Sequence, residues 1–398
     1  MDLLEQVKKQ IHACKGCSSC REWNWSDPRL PGFEEGVTKT GHEFICPIIP
    51  YTAGYESDTP RGKINIMKGV LEGVLEPSDE MVRKYYECTQ CGNCTEHCPL
   101  TRQEKMDPAK LIRVMRTHLQ SQGYEPPTGI KYLDKRMPRD RKLPDDWLPE
   151  EYLTEGAKTV YFPGCGISCS VYYQAPEIAR DFLELMSKAG TEISALEKGF
   201  CCGYQLHTTG QDEAARRHAE ANVRLVKEMG AETLVTTCAG CYDAFRNVYP
   251  KLLGEPLGFE VIHSLQLVEE AVTQNKLKLK EHAGKVTYHD TCDLGRKNRE
   301  FDAPRNILEA IPGITMVEME QNRENSWCCG AGGGVKSAYN DLALDIGQER
   351  IKQAVDVGAM ALVTSCPTCV WNLRESADKA QVGVKIQDLT SLLNLLAK

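Results

Sequence analysis

Apolar residues at helical spacing mark the first part of the chain. Two groups each share one predicted helical face: Ile64, Met67, Leu71 and Val74, and then Ile112, Met115 and Leu119. Asp107 and Pro108 precede the second group, and Asp is a favoured N-cap while Pro suits the first helical position. The segment 59–63 (Thr-Pro-Arg-Gly-Lys) predicts the start of the other helix, with charges expected to be solvated. We predict a helical domain over residues 1–120.

The next segment, residues 121–156, has a different composition. It carries many proline and charged residues and has no sustained hydrophobic period. Such a composition is typical of an extended connector. We therefore place a linker here, between the helical domain and the remaining residues, 157–398.

From residue 157 the chain repeats itself. Three segments align with three later ones: 159–165 with 286–292, 201–203 with 328–330, and 230–238 with 358–366. The offset is 127 residues for the first two and 128 for the third, which indicates a duplication. Each copy is predicted to contain a strand, a helix, a Cys-Cys turn, a long helix, a buried strand, Cys-x-x-Cys and a helix. The long helices are predicted from Ala219, Val223 and Val226 and from Leu344, Ile351 and Val355.

Strands that alternate with helices predict two small α/β domains with parallel sheets, at 157–280 and 281–398. The whole chain is then a multidomain protein of mixed α+β and α/β class. Ligands of parallel sheets lie at the carboxyl ends of the strands, which is where four cysteines fall. These are Cys165, Cys238, Cys292 and Cys366.

Composition and charge restrict the possible binding partners and the cellular location of the protein. The formal net charge is −8 and no long run of Lys or Arg occurs, which argues against nucleic acid. No apolar stretch reaches the roughly 20 residues of a membrane span, so no transmembrane segment is expected. The first residues lack the order of an export signal. We expect a cytoplasmic protein, and a peripheral place on a membrane complex stays open.

The 19 cysteines point to metal ligands or catalytic thiols rather than disulfides, because cytosolic thiols are kept reduced. Two sets have ferredoxin spacing: Cys14, Cys17, Cys20 with Cys46-Pro47, and Cys88, Cys91, Cys94 with Cys98-Pro99. A Cys-Pro cysteine usually ligates the other cluster of a pair. Crossed ligation then predicts one cluster on Cys14, Cys17, Cys20 and Cys98, and one on Cys88, Cys91, Cys94 and Cys46. An insertion, residues 21–45, separates the first set from its Cys-Pro. Structural zinc is the alternative at these sites.

Each repeat supplies a further set of five cysteines. The first is Cys165, Cys201, Cys202, Cys238 and Cys241, and the second is Cys292, Cys328, Cys329, Cys366 and Cys369. Five thiolates exceed the needs of a tetrahedral zinc, which favours a polynuclear iron–sulfur centre. The glycines after the Cys-Cys pairs, Gly203 and Gly330, are assigned to cofactor binding. Cys169 is left over, either as a small buried residue or with a redox or ligand role.

Two histidines, His207 and His289, have two interpretations. Each is either a proton donor near these centres or a hydrogen-bonded structural residue. Asp293, beside Cys292, adds negative charge that lowers the potential of a cluster if it faces that cluster.

The two repeats resemble the CCG domains of the heterodisulfide reductase catalytic subunit family. The order of two ferredoxin sets and two CCG domains resembles the fused, cytochrome-linked form of that family. It is also similar to the iron–sulfur subunits of glycolate oxidase and anaerobic glycerol-3-phosphate dehydrogenase, and to the electron-transfer subunit of tungsten benzoyl-CoA reductase complexes. The resemblance implies two cubane [4Fe-4S] clusters in a ferredoxin-like domain and one noncubane [4Fe-4S] cluster in each CCG domain.

Two oxidoreductase functions follow from this resemblance. The first is an iron–sulfur electron-transfer subunit of an anaerobic oxidoreductase complex, whose partners are flavin-, tungsten- or quinone-linked redox subunits. The alternative is a catalytic subunit that reduces a disulfide substrate at the paired noncubane clusters. The cysteines nearest that chemistry are Cys201, Cys202, Cys328 and Cys329. A zinc-stabilised scaffold is a third hypothesis, from a different class of protein.

Overall fold

The computed structural model describes residues 3–21, 44–101, 106–136, 141–142, 149–165, 175–196, 198–199 and 201–398. Nearly all of the insertion and Cys169 lie outside these residues. The described residues among the first 121 are mainly helical, as predicted. Their α-helices span Leu3–Gln6, Lys8–Ala13, Pro60–Leu71, Asp79–Tyr86, Asn93–Glu96 and Pro108–Ser121, with short 3₁₀ turns at Ile49–Tyr51 and Glu56–Asp58.

The predicted helix starts of this region are confirmed. Thr59 accepts a hydrogen bond from the N–H of Gly62 and Asp107 accepts one from that of Lys110, with Pro at the first helical position in both cases. Most apolar residues of the two stripes are buried, but Val74 is 74 % exposed, because the helix ends at Leu71. The expectation of a solvated charge at Lys63 was wrong, since this lysine is 1 % exposed.

The connector is partly helical rather than extended throughout. It contains the short helices Thr128–Lys131 and Leu133–Arg136 and a 3₁₀ turn at Glu150–Tyr152. Ile130 and Leu133 are buried in the same apolar cluster as the N-terminal helices. This segment therefore contributes to the core and does not simply span a gap.

Both α/β domains have a four-stranded, fully parallel sheet. The strands are β1 Arg141–Lys142, β2 Thr159–Tyr161, β3 Ser194–Ala195, β4 Lys198–Gly199, β5 Thr233–Thr236, β6 Glu260–His263, β7 Gly284–Tyr288, β8 Ile314–Met316, β9 Ala361–Thr364 and β10 Lys385–Asp388. Sheet order is β3-β2-β5-β6 in the first copy and β8-β7-β9-β10 in the second, and β1 pairs with β4. The strand pattern of the sequence predicted only the two central strands of each sheet and missed the outer strands, which mix polar and apolar residues.

Helices pack around both sheets. In the first copy they span Ala175–Lys188, Tyr204–Thr208, Asp212–Glu228, Ala239–Asp243, Tyr249–Leu253 and Ser264–Thr273, with a π-helical turn at Ala244–Val248. In the second they span Gly295–Asn298, Ala303–Glu309, Val335–Ala338, Asn340–Asp356, Pro367–Ala380 and Leu389–Leu396, with 3₁₀ turns at Arg323–Asn325 and Gly332–Gly334. Ile351 is buried as expected, but Val355 is 45 % exposed, and Ala354 is buried in its place.

The two copies share one apolar core. Tyr161 and Val235 of the first sheet belong to the same buried cluster as Val286 and Leu362 of the second. Because both sheets bury residues in this cluster, the copies pack as a pair rather than as separate units.

Arg116 connects the helical region to both copies. Its guanidinium is fully buried and donates hydrogen bonds to the carbonyl oxygens of Tyr85, Cys88, Thr208 and Gly333. These four carbonyls belong to the helical region, the first copy and the second copy. One arginine fork therefore satisfies buried acceptors in all three parts of the molecule.

Candidate iron–sulfur sites

At the first site, the structure brings together the four cysteines that crossed ligation predicts. Cys14, Cys17, Cys20 and Cys98 line one cavity, together with Arg61. Cys17 is exposed, so this site reaches the surface. Burial, together with the neighbouring thiolates, raises the pKa of Cys20 to about 12. Arg61 donates to the carbonyl oxygen of Gly16 at 2.8 Å and holds the loop that carries these cysteines.

The second ferredoxin site is deeper. Cys46, Cys88, Cys91 and Cys94 line one cavity, and the buried Lys63 lines it with them. Burial raises the pKa of Cys46, and the charge of Lys63 acts in the opposite direction. A buried lysine beside four thiols supplies positive charge for an anionic centre. No sequence pattern indicates this role, because Lys63 lies outside the cysteine motifs.

The five cysteines of the first copy form a continuous set of thiol contacts. Cys165 interacts with Cys201, Cys201 with Cys202, and Cys202 with Cys241, which in turn interacts with Cys238. The N–H of Gly203 donates to the sulfur of Cys201 at 3.3 Å. Gly203 has φ of +70°, a conformation that glycine adopts without strain.

The five cysteines of the second copy repeat the arrangement. Cys292 interacts with Cys328, Cys328 with Cys329, and Cys366 with Cys369. The sulfurs of Cys329 and Cys369 are 3.3 Å apart, and the N–H of Gly330 donates to the sulfur of Cys328 at 3.3 Å. The two glycines therefore play the same part in both copies.

The separate sites are also in contact with one another. Cys238 of the first copy interacts with Cys366 of the second, so the two five-cysteine sets meet. Cys91 of the deeper ferredoxin site interacts with Cys328 of the second copy, and this contact lowers the pKa of Cys91 to about 5. A series of sulfurs thus runs from the deeper ferredoxin site through the second copy to the first.

His289 lies behind the cysteine pair of the second copy. A nitrogen of its ring and the sulfurs of Cys329 and Cys369 lie within 4.8 Å of one another. Arg350 donates from Nε to Nδ1 of His289 at 3.1 Å. Burial lowers the pKa of Arg350 to about 10, so it stays charged at neutral pH. Nδ1 is then the acceptor of the ring and Nε2 carries the proton. This N–H has no hydrogen-bond partner among the described residues and is available to a sulfur-bound centre, and a protonated Nε2 is not a zinc ligand.

His207 and Asp293, the other two polar residues singled out in the sequence, form hydrogen bonds with neighbouring side chains. His207 pairs with Asp212, with Nδ1 and Oδ1 2.7 Å apart. Asp293 accepts hydrogen bonds from Tyr204 and Lys297, both at 2.7 Å. The charge of Asp293 acts on the thiol of Cys292 in the direction that raises its pKa, and the charge of Lys297 acts in the opposite direction, so the two charges partly offset each other at this cysteine.

These residues suit iron–sulfur clusters on two observations. Four sulfurs line each ferredoxin-type cavity, and a backbone N–H donates to a cysteine sulfur in each five-cysteine set. Hydrogen bonds to cysteine sulfur and nearby basic side chains are features of iron–sulfur sites. The basic residues are those that sequence reasoning missed, and only Arg116 left a signal, since it falls among the apolar residues of its helix.

The fold and the cysteine sets define an iron–sulfur oxidoreductase subunit with paired cysteine-rich domains. The profile of the CCG cysteine-rich domain matches residues 159–246 and 286–374. The chain is 32 % identical to an iron–sulfur relative from Methanosarcina mazei, one of the subunits of its dihydromethanophenazine:CoB–CoM heterodisulfide reductase, over 96 % of this chain and 93 % of that protein. The chain belongs to the family of this heterodisulfide reductase subunit.

Other relatives are also components of redox enzymes. The chain is 27 % identical to one of the subunits of the fumarate reductase (CoM/CoB) of Methanothermobacter marburgensis, over 88 % of this chain and 69 % of that protein. It is 28 % identical to the EtfAB:quinone oxidoreductase of Syntrophomonas wolfei, over 77 % of this chain and 46 % of that protein. These relatives support the prediction of an iron–sulfur electron-transfer subunit. In the described part of the chain, no helix has the length and apolar character to cross a membrane.

Proposed function

We propose that the chain binds four [4Fe-4S] clusters and transfers electrons within a larger redox complex. Two cubane clusters would lie on the crossed ferredoxin sets and two noncubane clusters on the five-cysteine sets. When bound, these groups supply one-electron redox chemistry. The chain itself supplies the thiolates, the buried Lys63 and the N–H donors of Gly203 and Gly330.

The observation that carries this proposal is that three of the four cysteine sites adjoin one another in a row. Cys91 meets Cys328, and Cys366 meets Cys238, so neighbouring centres would lie close together. The remaining ferredoxin site, with the exposed Cys17, is the one that reaches the surface. A redox partner would exchange electrons there, and the name of one relative, an EtfAB:quinone oxidoreductase, favours the quinone-linked kind among the predicted partners.

Metal analysis of anaerobically purified protein tests the cluster assignment. We expect about 16 irons per chain, four in each cluster. The paired variants Cys91→Ser and Cys238→Ser should each lose about a quarter of the iron, from different sites. Zinc in place of iron at the five-cysteine sets, or far less iron overall, would contradict the proposal. Subunits that co-purify with the chain would identify the partner.

A second function, reduction of a disulfide substrate, is favoured by the contact between the two five-cysteine sets. One disulfide has two sulfurs, and two adjoining sites are placed to act on both. A cleft lined by His207, Lys251 and Lys297 also borders Cys98, and the charge of Lys297 acts on the thiol of Cys292, so this cleft would be the approach for a substrate. Cys201, Cys202, Cys328 and Cys329 would lie nearest the substrate. Turnover of disulfides with reduced viologen tests this function, and a fully loaded protein without turnover would leave electron transfer alone.

A further inference from the structure

Arg296 is buried between two of the cysteine sites. It lies on the helix Gly295–Asn298 and is 6 % exposed. Its Nε donates to the carbonyl oxygen of Cys91 at 2.8 Å, and its Nη1 donates to that of Ser326 at 2.6 Å. Cys91 belongs to the deeper ferredoxin site, and Ser326 lies two residues before Cys328. One side chain therefore holds the two backbone segments whose thiols interact.

The charge of Arg296 has no acidic partner in direct contact. Among the described residues, no carboxylate oxygen lies within the 4.0 Å of an ion pair with its guanidinium. Its Nη2 is buried and makes no hydrogen bond. By contrast, the buried Arg305 pairs with both Asp290 and Glu318. A buried charge without a partner is costly, so Arg296 requires negative charge from the sulfur sites around it.

The sulfurs around Arg296 belong to both sites. Cys91, Cys292 and Cys328 are the thiols whose charge acts on its guanidinium, and the carboxylate of Glu96 adds a smaller contribution. The planar fork of arginine holds the carbonyls of Cys91 and Ser326, with a longer hydrogen bond of 3.3 Å to that of Glu324, and keeps Nη2 for a further acceptor, which a lysine does not do. Net charge and hydrogen bonds to sulfur set the potential of an iron–sulfur cluster, and a nearby cation stabilises its reduced form.

We propose that Arg296 is the positioning residue of an electron-transfer junction between the Cys46/Cys88/Cys91/Cys94 site and the second five-cysteine site. It holds the two sites in contact and raises the reduction potentials on both sides. This inference rests on the proposed function, because both sites must carry clusters. It goes further by assigning the link to the second copy and to one residue outside the cysteine motifs.

The test compares Arg296→Gln with Arg299→Gln in the intact, anaerobically purified chain. Arg299 is a matched control, since it lies on the same segment but its side chain is 60 % exposed. A redox titration followed by electron paramagnetic resonance reads each cluster separately. In Arg296→Gln we expect two of the four signals to move to lower potential while the other two stay. In Arg299→Gln all four should stay.

A result with none, one or all of the signals moved, at unchanged iron content, overturns the junction. If the Arg296→Gln variant loses iron, the Arg296→Lys variant is tested in its place, because lysine keeps the charge but cannot hold both carbonyls. The same two signals should then move by a smaller amount, and any other pattern overturns the inference. Wild-type protein is measured first. If it lacks the four signals, the proposed function fails and removes this inference with it, whereas four signals that Arg296 does not affect reject the junction alone.

Discussion

The two five-cysteine sites have the same ligand pattern but different surroundings. Behind the pair of the second copy lies His289, which Arg350 holds as a donor. The equivalent residue of the first copy is Phe162, which packs edge-on against Phe245, with ring centroids 4.9 Å apart. The second site also touches the deeper ferredoxin site, through Cys328 and Cys91. A duplication has therefore kept the ligands and changed the electrostatics around them.

This difference indicates a division of labour between the copies. A site with basic residues and a hydrogen-bond donor stabilises added negative charge better than one with aromatic neighbours. We therefore expect the second site to have the higher reduction potential and to accept electrons from the ferredoxin site. The first site would then be the more distant end of the path.

The largest effect is expected from removing a cysteine at the junction. Cys328→Ser should lose about four irons, the content of one cluster, and also break the path between the ferredoxin site and the first copy. Cys201→Ser is the matched change in the first copy and should lose the same iron without breaking the path. Iron analysis and the rate at which a low-potential donor reduces the remaining clusters measure both effects. Equal reduction rates in the two variants would contradict the assigned order.

Replacing the glycine after each cysteine pair by alanine should also have different effects in the two copies. A Cβ on Gly330 would lie 2.1 Å from the carbonyl oxygen of Ala343, whereas one on Gly203 would lie 3.0 Å from the Cβ of His218. Both glycines have positive φ, which costs alanine roughly 1–2 kcal/mol. Gly330→Ala must also move backbone, so it should lose iron at the second site.

Gly203→Ala should lower the thermal stability by only a few degrees and keep its iron. Iron content and thermal unfolding of the two variants test this contrast. If both variants keep full iron and unfold at the same temperature, the closer packing of Gly330 has no consequence and the contrast is wrong.

Exchanging the residues behind the cysteine pairs, His289 and Phe162, tests the electrostatic difference between the two five-cysteine sites. His289→Phe removes the donor at Nε2, and a hydrogen bond to a charged group is worth about 1.5–3 kcal/mol. The potential of the second site should therefore fall by on the order of 100 mV. Phe162→His is the reciprocal change and should have a smaller effect, because the described residues around it include no arginine placed like Arg350. Redox titrations of both variants test these expectations. An unchanged potential in His289→Phe would show that His289 does not contribute to the difference between the two sites.

The smallest effect concerns the residues that cap the helix after each fourth strand. His263 and Asp388 occupy this position, and each side chain accepts a backbone N–H. Burial lowers the pKa of His263 to about 3 and raises that of Asp388 to about 7. In the unfolded chain these groups have pKa values of about 6.5 and about 3.9. His263 therefore contributes stability that is lost as the pH falls below about 6.5, and Asp388 contributes stability that is lost as the pH rises from about 4 to 7.

The two pH slopes oppose each other, and asparagine keeps the cap without the charge. His263→Asn should make stability fall more steeply with rising pH between about 5 and 6.5, by at most about 1.4 kcal/mol per pH unit. Asp388→Asn should change the slope in the opposite direction. Thermal unfolding at several pH values measures this, and slopes that change in the same direction would refute the assignment.

Sequence patterns were sufficient for the candidate ligand sets, the duplication and the central elements. Cysteine spacing is local, and the repeat preserves it, so all the cysteine sets could be recognised without coordinates. The caps at Thr59 and Asp107 were predicted for the same reason, because a cap depends on neighbouring residues. The outer strands of both sheets and the exposure of Val74 and Val355 were missed, because a period does not reveal where an element ends or which flank meets solvent.

Only the tertiary structure decided how the sites meet and which charges face them. Lys63, Arg116, Arg296 and Arg350 carry no motif, yet all of them are buried, the first three beside cysteines or their backbones and Arg350 beside His289. Their partners lie up to 217 residues away in the chain, as for Arg116 and Gly333. A side chain's burial and its hydrogen-bond partners depend on the packing of distant segments, and local spacing does not contain that information. The sequence alone therefore determined what each site is made of, and the fold determined how the sites are connected.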